Sequence, residues 1–360
     1  MIISRTPFRI SFLGGGTDYP RWYLRRGGQV LATTINKYCY ITCRYKPPLV
    51  AHRIRLAYNR IEDCQSIDEI EHPVIRGVLR FLELDEALEI HHDADLPGRS
   101  GIGSSSSFTV GLLQALHALK GEMVSKRQLA EEAIHVEREI LRETVGSQDQ
   151  TLAAHGGLQH IAFFPDGRIV VRPLTIPHDR REELNGHVML FYTRIKRTAS
   201  EVAASYVESL ETKAPVLERL HAMVDEGIEI LNGDDDITRF GELLDESWQS
   251  KRSLSHLTSN TRVDEIYEAA RSAGALGGKL TGAGGGGFML LFAPPHRHEA
   301  IRESLRGLPY VPVTFESSGS QVIFYDPDPA ASREDRAARR HELEAPRELT
   351  AMHESERTKI

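Results

Sequence analysis

The residues best suited to chemistry lie in Leu96-Pro97-Gly98-Arg99-Ser100-Gly101-Ile102-Gly103-Ser104-Ser105-Ser106-Ser107, between a strand-like segment and a helix-patterned one. Glycine lets backbone N–H groups converge where a side chain would block a ligand. The start of the following helix adds unpaired N–H donors and the positive end of a dipole, and together these suit an anion. The hydroxyls of Ser104 to Ser107 supply further donors for phosphate oxygens, or an oxygen ligand for Mg²⁺. A glycine turn with serine caps would share this outline, but four serines exceed what capping requires. The turn is not a Walker A loop, because no Lys-Ser/Thr pair closes it. Gly278-Lys279 does not fit either, being followed by Leu280 and lacking the glycine five residues earlier.

A second glycine run, Gly282-Ala283-Gly284-Gly285-Gly286-Gly287, formally fits GxGxxG. A dinucleotide fold needs a helix after those glycines, whereas Phe288-Met289-Leu290-Leu291-Phe292 reads as a strand. These glycines are expected instead to let the segment pass close beside another loop or a ligand. Glu137 stands out by its neighbours, since helical positions one turn away hold Ala133, Ile134, Ile140 and Leu141. A carboxylate on an apolar stripe is costly unless paired or bound to metal; a place at the stripe's edge or an Arg partner is the alternative. Asp149 falls in the first turn of a short helix after Ser147, where the dipole favours an acid whatever its task. Arg9 sits within a strand pattern just before Gly14-Gly15-Gly16. Spacing alone makes neither of these two catalytic.

These residues need a scaffold, and the patterns along the chain supply one. Strands are expected at 8–13, at 30–45 as one or two, and at 87–91, with helical spacing over 67–84 and 108–119. Ser125 with Gln128 forms a capping box for a helix running to about residue 145, and Ser147 with Gln150 forms another. A hairpin turns at Pro165-Asp166-Gly167-Arg168. A second unit begins near His187 with a buried strand at 188–192, helical patterns over 200–231, 237–253 and 263–273, and strands at 288–292 and 321–325. The expected division is 1–180, 181–327 and a tail at 328–360. That tail carries 7 Lys/Arg and 8 Asp/Glu with few large apolar residues, so it reads as solvated and flexible.

Composition agrees with a large packed core: 40% of the 360 residues are apolar and 26% charged. A formal net charge of −7 gives no electrostatic reason to expect nucleic acid or an anionic membrane as partner. Cys39, Cys43 and Cys64 are too few and too unevenly spaced for a disulfide framework, and no zinc spacing includes them. His91-His92-Asp93 reads as a strand end, without a second ligand cluster. The first residues do not form a signal peptide, and no apolar run approaches the ~20 residues that span a bilayer. A cytoplasmic location is the expectation.

Three segments, taken in order, resemble the motifs of the GHMP kinases, the family of galactokinase, homoserine kinase, mevalonate kinase and phosphomevalonate kinase. They are Thr6-Pro7-Phe8-Arg9-Ile10 through Gly14-Gly15-Gly16-Thr17-Asp18-Tyr19, the serine-rich turn 97–107, and Lys279-Leu280-Thr281 through Gly287, together spanning residues 1 to about 325. The resemblance implies a mixed α/β (α+β) two-domain fold, with an N-terminal ribosomal-S5-like domain, a C-terminal ferredoxin-like domain and an active site in the cleft between them. It implies ATP and Mg²⁺, with Pro97, Gly98, Arg99, Ser100, Gly101, Ile102, Gly103, Ser104, Ser105 and Ser106 at the ATP phosphates. Ser105 matches the Mg²⁺-binding serine and Glu137 its acidic partner. Asp149 matches the acid that faces the substrate hydroxyl, and Arg9 the basic residue paired with that acid.

On the substrate side the resemblance places Gly15, Gly16, Thr17 and Asp18, with Gly284 and Gly285. Asp18 matches a sugar-contacting aspartate of the galactokinase version, Gly-Glu-His-Thr-Asp-Tyr, but Gly15-Gly16 here replace its Glu-His. Phe12 to Pro20, Arg99-Ser100-Gly101 and Val145-Gly146-Ser147-Gln148-Asp149-Gln150 look like the heptose 7-phosphate kinase branch, which phosphorylates an anomeric hydroxyl. A second phosphate on the acceptor would need cations. Arg99, Lys196, Arg197, Lys251 and Arg252 are available, with Lys196-Arg197 the first choice. The implied partners are a small sugar phosphate and ATP, with a homodimer left open. An L-fucose kinase-like or other sugar 1-kinase, a non-catalytic sugar and ATP sensor, and an ATP-dependent decarboxylase are the alternatives.

Overall fold

The computed structural model describes residues 1–46, 52–195, 199–207 and 210–327. Lys196, Arg197 and the charged tail lie outside the described residues. The first half of the chain runs β1 (Ile2–Leu13), α1 (Pro20–Arg26), β2 (Gly28–Tyr45), β3 (Ile54–Ala57), β4 (Ile61–Cys64), α2 (Pro73–Phe81) and β5 (Leu88–Ala94). It continues through α3 (Ser104–Lys120), α4 (Lys126–His135), α5 (Gln148–His155) and the hairpin β6 (Leu158–Phe163) and β7 (Ile169–Pro173). The second half holds α6 (His178–Gly186), β8 (Val188–Tyr192), α7 (Ala199–Val207), α8 (Ala214–Asn232), α9 (Thr238–Arg252) and α10 (Thr261–Ser272). It ends with β9 (Gly277–Leu280), β10 (Phe288–Phe292), α11 (His298–Ser304), β11 (Tyr310–Val311), β12 (Phe315–Glu316) and β13 (Gln321–Tyr325).

Two sheets organise these elements. The larger has the order β13-β1-β2-β5-β3-β4, with β12 and β6 also on β2 and β7 on β6; the smaller is β11-β8-β10-β9. Residues 6–13 of β1 are all buried, as expected of a strand covered by other elements on both faces. Helix α3 lies directly on it, and Gly111 allows the contact, since a Cβ there would come within 2.8 Å of Thr6 Oγ1. Helix α8, from the second half, seats Gly227 against Leu13 in the same way, at 2.4 Å from Cδ1. The end of β1 that carries Arg9 is therefore clamped by helices from both halves of the chain.

Three expectations change. The helix expected to reach residue 145 ends at His135 and passes into a single wide turn, Val136–Ile140. Its Leu141 N–H reaches back to Val136 O, a span of five residues, as in the π-bulges found at functional sites. The second capping box does not form. Ser147 makes no cap bond, and its hydroxyl instead pairs with the Tyr23 hydroxyl at 3.3 Å. The last strands also leave the second unit: β13 pairs with β1, from Ile2 opposite Tyr325 to Arg5 opposite Gln321. That edge of β1 is left open by β2, and a strand from the chain's far end satisfies it. Cys39, Cys43 and Cys64 are free and buried, and burial pushes the Cys43 thiol up to about 12. Among the described residues, no helix is long and apolar enough to cross a membrane.

Candidate active site

Two glycine-rich turns touch at the centre of the molecule. One leads from β5 into α3; the other joins β9 to β10, with a strand rather than a helix on its far side. A Cβ on Gly101 would lie 2.5 Å from the Thr281 carbonyl oxygen, and one on Gly282 would lie 2.7 Å from the Gly101 Cα. Phe288 N–H donates to Ser100 O at 3.1 Å, which locks the turns together. Gly101 has φ +79°, where an L side chain is strained by roughly 1–2 kcal/mol before any clash is counted. Gly101→Ala should therefore destabilise the protein by about 2 kcal/mol or more. Urea denaturation measures this, and an unchanged midpoint would show that the two turns need not touch.

Helix α3 starts without a side-chain cap, on Gly103 in the left-handed region. Its first bond runs from Ser107 N–H to Gly103 O at 2.8 Å, so the amides of Ser104, Ser105 and Ser106 come ahead of the ladder at the positive end of the dipole. The four serines have four different tasks. Ser104 Oγ accepts the Arg99 N–H at 3.1 Å and braces the turn. Ser105 is exposed. Ser106 donates to Glu137 Oε2 at 3.0 Å, and Ser107 donates to Pro7 O at 3.0 Å.

Arg9 draws three elements together. Its Nε and Nη2 donate to Asp149 Oδ1 and Oδ2 at 2.7 and 2.5 Å, and its Nη1 donates to Gly101 O at 2.7 Å. Such a charge-assisted, two-pronged contact fixes orientation as well as distance. The Arg9 side chain is only 3% exposed, whereas that of Asp149 keeps 25%. Asp18 is buried and takes Gly16 N–H on Oδ1 at 3.1 Å and Gln148 N–H on Oδ2 at 3.4 Å. Burial, and then the nearby Asp149 charge, raise its carboxyl above the usual value. Asp149 is thus the acid of this cluster that a ligand can reach from outside.

Two lysines complete the cluster. Lys279 on β9 is 2% exposed and donates to Phe12 O at 3.0 Å; burial, with Lys251 and Arg9 nearby, holds it well below the ordinary lysine value. Lys251 on α9 is 5% exposed and donates to Gly282 O. Burial and the Arg9 charge lower it to about 8.

Glu137 is fully buried on the wide turn. Its Oε2 takes Ser106 Oγ–H and, at 2.5 Å, Gln150 Nε2–H, while Oε1 has no hydrogen-bond partner among the described residues. Burial raises its carboxyl to about 7. An inward acid with one bare oxygen is a donor suited to a hard cation.

The structure brings Arg9, Asp149, Asp18, Gly101 and Gly103 together, with Glu137 behind Ser106 rather than beside Ser105. The Thr17 hydroxyl is engaged inward, its one proton held between Gly14 O at 2.8 Å and Gln29 O at 2.9 Å. Gly284 and Gly285 pack on Thr258, whose carbonyl takes the Gly285 N–H at 2.8 Å. The central position of Lys279 and the partner role of Gln150 are not evident from spacing. In the sequence Lys279 is marked by its place at the head of the third glycine-rich segment, and its burial within Gly277–Leu280 emerges from the structure.

Residues 73–157 match the GHMP kinases N terminal domain, and residues 228–310 match GHMP kinases C terminal. The chain belongs to the GHMP kinases, with their two-domain α/β fold, and it is a phosphotransferase acting on an alcohol group. It is 29% identical over 316 residues to the D-glycero-alpha-D-manno-heptose 7-phosphate kinase of Campylobacter jejuni, covering 85% of this chain and 93% of that one. It is 26% identical over 317 residues to the bifunctional fucokinase/GDP-fucose pyrophosphorylase of Arabidopsis thaliana, of whose length it spans 29%. The crystal structure of a D-glycero-D-manno-heptose 1-phosphate kinase from Bacteroides thetaiotaomicron superposes with a TM-score of 0.74 at 25% identity, covering 90% of this chain and 99% of that one.

Proposed function

We propose that this enzyme transfers the γ-phosphoryl group of ATP to the anomeric O1 of D-glycero-α-D-manno-heptose 7-phosphate. The product is the 1,7-bisphosphate of nucleotide-activated heptose synthesis. The observation that carries the chemistry is the Arg9–Asp149 pair, set where the two glycine turns meet and open on the Asp149 side. The choice of acceptor is supported by the likeness to the Campylobacter jejuni heptose 7-phosphate kinase, and the likeness to a solved heptose 1-phosphate kinase supports a heptose without fixing the position.

Backbone amides of the turn and of Ser104, Ser105 and Ser106 at the start of α3 hold the triphosphate, the Arg99 N–H being taken by Ser104 Oγ. Asp149 accepts or orients the proton of the acceptor hydroxyl, and the two Arg9 bonds hold its carboxylate in place. Phosphoryl transfer depends chiefly on such positioning and on neutralising charge. We place Glu137 at Mg²⁺ on the strength of its buried Oε1, with Ser105 at the helix start as its partner, although Ser106 is the serine that bonds Glu137 in this structure. When bound, Mg²⁺ supplies charge neutralisation on the phosphate oxygens. Gly15, Gly16 and Asp18 line the acceptor side beside Gln148.

Lys196 and Arg197 are the cations we assign to the acceptor's own phosphate. Ile195, just before them, accepts the Gly287 N–H of the second glycine turn at 2.9 Å. ADP release from heptose 7-phosphate, unphosphorylated heptose and L-fucose tests the acceptor. The 7-phosphate should win in kcat/KM by about 100-fold, as expected where charge-assisted contacts are lost. Equal rates for both heptoses would remove the phosphate pocket, and a preference for L-fucose would replace the heptose reading.

A further inference from the structure

We propose that Lys251 is a second cation on the transferring phosphoryl group, supplied by α9 as Arg9 is supplied by β1. This rests on the phosphoryl transfer proposed above but not on the choice of sugar. The two cations are anchored alike: Arg9 Nη1 donates to Gly101 O, and Lys251 Nζ donates to Gly282 O. Gly101 and Gly282 are the residues at which the two turns touch, so both cations are fixed at one junction. An ammonium has three donors, and the bond to Gly282 O is the one made by Lys251 among the described residues. Both Asp149 oxygens are taken by Arg9, and the Asp18 oxygens by the amides of Gly16 and Gln148. A buried ammonium with donors to spare is costly to keep without an anionic partner. The incoming phosphoryl oxygens provide that partner.

In the transfer, the acceptor oxygen bonds to the γ-phosphorus as the bond to the β,γ-bridging oxygen breaks. ADP departs with the electron pair, and the hydroxyl proton passes to Asp149. Lys251 keeps its proton throughout and donates N–H to the non-bridging oxygens, where charge is held in the transition state. The groups facing it are Arg9 from β1, Asp18 from the following loop, Asp149 from α5 and Lys279 from β9. Lys251, which burial lowers to about 8, should give the free enzyme an alkaline limb in kcat/KM, and its loss in Lys251→Arg separates it from Lys279.

The test compares the full-length wild type with Lys251→Met and Lys251→Arg, using ATP·Mg²⁺ and the acceptor that the wild type turns over fastest. Lys251→Met should lose on the order of 100-fold or more in kcat, the usual loss for one transition-state donor. The KM for ATP and for acceptor, and the melting temperature, should stay near wild type. Lys251→Arg should recover at least part of kcat and lose the alkaline limb seen in the wild type. A Met variant within about threefold of wild-type kcat, or one impaired only in KM or melting temperature, would show a mere prop for the second turn. Should the Met variant not fold, Lys251→Gln is read in its place, and a Gln variant within about threefold of wild-type kcat overturns the proposal. A wild type active on some other acceptor sinks the heptose reading while the Lys251 comparison proceeds on that acceptor; a wild type that transfers no phosphoryl group overturns both.

Discussion

Asp149→Asn should lower kcat by roughly two to four orders of magnitude, the usual range for a positioned acid or base. Nucleotide affinity should change little, because the turn and the α3 amides that cradle the phosphates do not include this carboxylate. The substitution is nearly isosteric, and an amide oxygen can still accept one of the two Arg9 donors. What disappears is the negative charge that draws a proton from the acceptor hydroxyl and balances a guanidinium only 3% exposed. A structural ion pair would behave differently, losing stability while turnover per folded molecule stayed near normal. Steady-state kinetics combined with calorimetric binding of a non-hydrolysable ATP analogue separates the two outcomes, and near-normal kcat would remove Asp149 from the chemistry.

Glu137→Gln should move activity and stability in opposite directions. The Glu137 carboxyl is raised to about 7 in the folded protein, chiefly by burial, from an ordinary 4.5. The folded state therefore holds this proton more tightly than the unfolded chain does. Its contribution to stability is fully present below pH 4.5 and is lost as pH rises through about 7. Without Mg²⁺ at pH 8, the variant should melt no lower than wild type, since Gln carries no buried charge. Mg²⁺ with nucleotide should raise the wild-type melting temperature and leave that of the variant nearly unchanged. Several kcal/mol of lost charge neutralisation correspond to a fall in kcat on the order of 100- to 1,000-fold. A variant equally stabilised by Mg²⁺ and nucleotide would take Glu137 out of the metal site.

Much of the frame is legible in local pattern. The strands expected at 188–192, 288–292 and 321–325 occupy those residues as β8, β10 and β13, because unbroken apolar or β-branched runs bounded by turns leave few other choices. The glycines at 282–287 pass beside another loop, as the strand after them required. Partners are harder to read than elements. Periodicity marks Glu137 as inward, yet nothing local says that Ser106 and Gln150 meet it, or that a wide turn at Val136–Ile140 carries it. Likewise β13 carries a strand pattern that does not reveal which sheet it joins, because pairing across more than 300 residues is decided by which edge remains open. Lys251 reads as one of five cations available to a substrate phosphate, and the packing of α9 on the second glycine turn is what singles it out.

Phosphorus NMR of the reaction with heptose 7-phosphate and ATP·Mg²⁺ tests the proposed transfer most directly. One ADP should appear for each new sugar phosphorus signal, and that phosphorus should couple to the anomeric proton while the 7-phosphate signal persists. A new phosphorus coupled to any other ring or side-chain proton, or no sugar signal at all while ATP is left intact, would contradict transfer to the anomeric oxygen.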